Sequence, residues 1–176
     1  MTDVQTSRTA HRDRAHGGGP DLLGIYLNDH LMGATAGVER VHRLARTARG
    51  TDLGAALEPV AAEFAEDRAA LLAIMRDLDV PVRRHKVVAG WAAEKAGLLK
   101  TNGRLVRRSP LSTVLELEVL RAAVEGKAAG WQVLRRLAES DARLDAHRLD
   151  TLLGRAARQR ETLEEWRVRR AVEVFG

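Results

Sequence analysis

The chain contains no cysteine, which removes disulfides, thiolate metal ligands and a cysteine nucleophile together. Aromatic residues are scarce too, at three Trp, two Phe and one Tyr. A nucleic-acid surface built on stacking side chains therefore has little to draw on. Proline occurs only four times, and Gly and Pro fall mainly between periodic segments. No apolar run approaches the ~18–20 residues of a membrane span. The N-terminus lacks the apolar stretch of a secretory leader. No phosphate-cradling glycine loop and no nucleophile triad is recognisable. These absences point to a cytoplasmic protein that does not engage a membrane.

What is present is helical. Hydrophobic residues make up 45% and charged residues 30% of the 176 positions, with Ala, Leu, Arg and Glu prominent. That length suits one domain with a real core. The net charge is +5, and it is unevenly placed. Between residues 81 and 110, eight Lys and Arg residues stand against Glu94 alone. This stretch carries more positive charge than the whole chain, so the remainder is close to neutral. Arg104, Arg107 and Arg108 are its candidate polyanion-binding residues; the competing reading is a solvated basic surface.

Residues 1–20 have no periodicity and end in Gly17-Gly18-Gly19-Pro20, which predicts a disordered arm. A single domain is expected over 21–176. The first helix is predicted from Asp21, its N-cap, to Ala48, with Leu23, Leu27, Leu31, Val38 and Val41 on one face. His30 falls within that face, and Gly33 and Gly37 beside it would let a neighbouring helix approach. The second helix is predicted from Asp52 to Leu78, ended by Val80-Pro81, with Pro59 as a kink or a later start. Asp67 lies near its apolar stripe and Glu63 at the edge.

Residues 81–109 are far too many for a turn between neighbouring helices, which takes about 2–8 residues. They are expected to cross the length of the bundle, making helices 2 and 3 parallel. Within them, 83–98 reads as a short helix burying Trp91. Ser109-Pro110 then opens helix 3, predicted to Ala138. Its apolar arc is drawn through Leu115, Leu117, Val119, Leu120, Val124, Trp131, Leu134 and Leu137. Glu116 falls near the middle of that arc and Lys127 also points inward. A core carboxylate needs a partner or a metal, which makes Glu116 the sharpest functional flag. Helix 4 is predicted from Ser140 to Val172, with Asp145 and Gln159 as the polar members of its seam. By depth, His30 and Lys127 should lie near Asp67, and Glu116 near Gln159 and Leu163.

Two helical hairpins joined by a bundle-length crossover resemble the ferritin-like superfamily over about residues 21–170. Strings such as YLNDHLMGATAGVERVHRLA and RRSPLSTVLELEVL also resemble uncharacterised ferritin-like bundle proteins of actinobacteria. The resemblance implies an all-α four-helix bundle with one long crossover between helices 2 and 3. It implies no settled activity. Ferritin-like oxidases place a Glu on two helices and Glu-x-x-His on the other two, all pointing inward. Here Glu39–His42 is the Glu-x-x-His pair, and Glu39 projects to the charged face. Helix 4 offers Asp145 and Gln159 instead.

Three functions compete. The first is a non-catalytic binding or scaffold module, expected to self-associate and to need no cofactor. The second is a divergent metal-dependent oxidase or metal-storage subunit, holding iron or manganese through Glu116, Asp67, Glu63 and His30. The third is binding of nucleic acid or an acidic partner through the crossover arginines.

Overall fold

The computed structural model describes residues 21–83 and 110–176. The expected arm, the short crossover helix with Trp91, and Arg104, Arg107 and Arg108 lie outside the described residues. Those described form four helices and no strand: α1 Leu22–Thr47, α2 Asp52–Asp77, α3 Pro110–Leu137 and α4 Ala146–Phe175.

Each helix buries one stripe, spaced three and four residues apart. In α1 the stripe includes Leu27, Leu31, Val41 and Leu44; in α2 it includes Leu53, Leu57, Phe64, Leu71 and Met75. Fully burying one such side chain is worth about 1.5–3 kcal/mol. Around the bundle, α1 packs on α2 and α3, while α4 packs on α3 and α2. At one end Val41, Leu53, Leu117 and Leu163 share a cluster; at the other Leu27, Met75, Leu134 and Leu149 do. Chain direction follows from those memberships. Helices α2 and α3 run parallel across a diagonal, and all packed neighbours are antiparallel. Residue 77 and residue 110 therefore stand at opposite ends of the bundle.

The helix starts are set by local chemistry. Asp21 caps α1, its Oδ1 accepting from the Gly24 amide at 2.8 Å. Thr51 caps α2 through the Gly54 amide, after a turn that places Gly50 at φ +81°. Pro59 does not delay α2, which begins at Asp52 and continues through it to Asp77. Ala55 and Pro59 are both exposed, so the carbonyl that loses its donor lies on the water side.

Three sequence expectations change. Helix α4 is capped by Asp145, whose carboxylate accepts from the Arg148 amide at 3.1 Å; Ser140 sits in the preceding turn. Asp145 is thus an exposed cap rather than an interior seam residue. In α3 the buried row is Val114, Leu117, Leu120, Val124, Trp131 and Leu134. Leu115, Val119 and Leu137 are 50%, 45% and 36% exposed. They flank that row on a side of α3 that no described helix covers.

Candidate functional site

Among the described residues, Asp67 and Gln159 form a buried polar layer about halfway along the bundle, and Lys127 is its centre. The α3 backbone carries this side chain between α2 and α4, where its ammonium meets three different groups. Nζ donates to Asp67 Oδ2 at 2.5 Å and to Gln159 Oε1 at 2.5 Å. It also stands 4.2 Å from the centre of the Phe64 ring, a cation–π contact. Burial pushes the Lys127 ammonium below its ordinary value of 10.5, and the charges of Asp67 and Glu63 pull back against that shift.

Asp67 is 2% exposed and has both oxygens filled. Oδ2 takes Lys127 and, at 3.1 Å, the Gln159 amide; Oδ1 takes Arg155 from α4 at 3.1 Å. Gln159 is 1% exposed and turns its Nε2 to Glu63 Oε2 at 2.9 Å as well. Arg155 continues outward to Glu66 at 2.9 Å. Two inner carboxylates, Glu63 and Asp67, thus face two cations, Lys127 and Arg155. Asp67 is paired with both cations, while Glu63 joins the layer through the Gln159 amide.

The candidate metal residues are not brought together. Glu63 and Asp67 share this layer, but Lys127 and the Gln159 amide occupy the space between them. Glu116 lies on another side of α3, its carboxylate 3.3 Å from Arg40 and 3.5 Å from Arg43 of α1. Its side chain is 17% exposed. The expected pairing of Glu116 with Gln159 is therefore corrected, because α3 turns Glu116 toward α1 while Gln159 reaches the Lys127 layer. His30 shares a cavity wall with Asp67, and its Nδ1 donates to the Tyr26 carbonyl at 3.1 Å. Glu39 is exposed, as expected. Among the described residues, no group of three or more His, Cys, Asp or Glu is placed to hold a metal ion. A divalent cation at Asp67 would have an ammonium for a neighbour.

Beside the layer lies a cavity of about 330 Å³ between α1, α2 and α3. Leu27, Ala34, Phe64, Leu71, Trp131 and Leu134 supply its apolar walls. Four glycines line it, Gly33 and Gly37 from α1 and Gly126 and Gly130 from α3. The expected close approach is met at Gly37, where an added Cβ would stand 3.3 Å from Phe64. Gly130 is closer still, under the His30 ring. Over Gly33 an added Cβ would meet nothing within 4 Å.

Two polar residues escaped the sequence reading. Arg155 flanks the α4 seam and reaches inward along its own stem. Asn28, 3% exposed, holds the chain leaving α2: its Nδ2 donates to the Pro81 carbonyl at 3.0 Å and its Oδ1 accepts from the Arg83 amide at 2.7 Å. The available signal was an amide placed beside Leu27 on the apolar face of α1.

No protein-family model, no curated protein and no solved structure matches this chain. No helix among the described residues is long and apolar enough to cross a membrane.

Proposed function

We propose that this chain is a non-catalytic, ferritin-like helical bundle that acts as a binding or scaffold module. The observation that carries the reading is the position of Lys127. Its ammonium bridges Asp67 and Gln159 at the middle of the bundle, where a carboxylate-bound ion would otherwise stand. A fixed side-chain cation neutralises the layer without redox chemistry. The parallel course of α2 and α3 supports the ferritin-like part. The exposed apolar residues along α3, from Leu111 and Leu115 to Val133 and Leu137, support self-association.

The test is metal content after purification without chelator, followed by addition of ferrous iron in air. The expected outcome is less than stoichiometric iron or manganese and no rapid ferroxidase absorbance. Stoichiometric metal, lost in Asp67→Ala, would replace this reading with the metal-storage or oxidase one.

A further inference from the structure

The four glycines of the cavity are not equivalent. Gly37 and Gly130 are explained by packing, since a Cβ there would press on Phe64 or His30. Gly33 and Gly126 are not, because a Cβ at either position would meet nothing within 4 Å. Both sit well inside long helices, where glycine is less favourable than alanine. Both are exposed, and both line the same cavity. Space is being left there that no described side chain uses.

We infer that the cavity between α1 and α3 binds one small, uncharged, two-ring aromatic molecule. This deepens the binding-module reading and rests on it. Size comes first: an apolar cavity of about 150 Å³ takes up benzene. At about 330 Å³ this one has room for roughly twice that. Small-molecule sites begin near this volume. The walls supply the Phe64 and Trp131 rings, with the His30 imidazole at the side, so an aromatic guest finds edge and face contacts.

Charge comes second. Lys127 and Asp67 reach the cavity wall, but each is already held by the other and by Gln159. Asp29, the other charged residue of the lining, is exposed, so water screens it and an ionic guest would lose its hydration without gaining a buried counter-ion. What the wall does offer is neutral. His30 spends Nδ1–H on the Tyr26 carbonyl, which leaves the Nε2 lone pair as an acceptor. Trp131 is 3% exposed and its Nε1–H is enclosed by the protein, so it offers a guest ring contacts rather than a hydrogen bond. A ring system carrying one hydroxyl or ring N–H matches this inventory.

The probe is 2-naphthol, titrated by calorimetry into the full-length chain, with naphthalene, 2-naphthoate and 2-naphthylmethylamine for comparison. The expected result is saturable one-to-one binding of 2-naphthol, with both charged analogues weaker by at least about 10-fold. Gly33→Ala and Gly126→Ala should each raise Tm by about 2–4 °C. Combined, they should weaken 2-naphthol by at least about 10-fold, because two methyl groups enter the space. His30→Phe keeps a ring and removes the acceptor, so it should weaken 2-naphthol about 5-fold and leave naphthalene unchanged. The inference is overturned by an absence of saturable binding, by equal binding of a charged analogue, or by unchanged affinity in the stabilised double-alanine variant. Because metal content is measured separately, the binding-module reading and this ligand assignment can fail one without the other.

Discussion

Asp67 and Glu116 are both carboxylates on inward-leaning helix faces, yet the bundle treats them differently. Asp67 is 2% exposed and held by three donors from two helices. The Glu116 side chain is 17% exposed and sits beside two α1 arginines, one of which is 41% exposed itself. The first carboxylate has surrendered its water and depends on protein groups. The second keeps part of its hydration and has a half-exposed partner in Arg43. Depth, not residue type, decides which of them the fold depends on.

The largest expected effect comes from removing the deep carboxylate. Asp67→Ala leaves Lys127 and Arg155 facing each other without it, and should cost about 3–5 kcal/mol in urea unfolding. A loss no larger than that of a surface pair would erase the contrast with Glu116.

Next is pH. Lys127 binds its proton more weakly in the folded chain than in the unfolded one, because burial outweighs its partners. Between its folded value and the ordinary 10.5, the unfolded chain holds more protons, so stability from this group rises with pH. Below the folded value both states are protonated and the contribution is flat. Unfolding of wild type and Lys127→Met from about pH 7 to about pH 10 should show the wild type gaining on the variant. The gain cannot exceed about 1.4 kcal/mol per pH unit. A relative loss with rising pH would mean that the ion pair, and not burial, sets the proton affinity of Lys127.

The smallest effect belongs to Glu116. Glu116→Gln keeps the shape and removes the charge, and should cost no more than about 1 kcal/mol by thermal or urea unfolding. A cost matching that of Asp67→Ala would place Glu116 in the core after all.

How much of this was legible in the sequence follows the same division. The fold was readable because its signals are periodic: the stripes of α1 and α2, and a connection too long for a turn. Lys127 beside Asp67 was readable by counting turns along two parallel helices. Counting turns pairs Gln159 with Glu116 instead of Asp67, since it fixes depth to about a turn but not which way a side chain leans. Leu115, Val119 and Leu137 read as core in the sequence because α3 is apolar over a wider arc than the described helices cover. Arg155 and Asn28 escaped because a long stem or a short amide reads as surface until its partner is in place. The cavity is the extreme case. Gly33 and Gly126 are visible as letters, but the open space above them exists only between helices.

Whether the Lys127 ammonium holds the Asp67 carboxylate is measured most directly by a double-mutant cycle on the two residues. Urea unfolding of wild type, Asp67→Asn, Lys127→Met and the double variant should return a favourable coupling of about 1–3 kcal/mol. A coupling within about 0.5 kcal/mol of zero would contradict the claim and return Asp67 to the residues available for a metal.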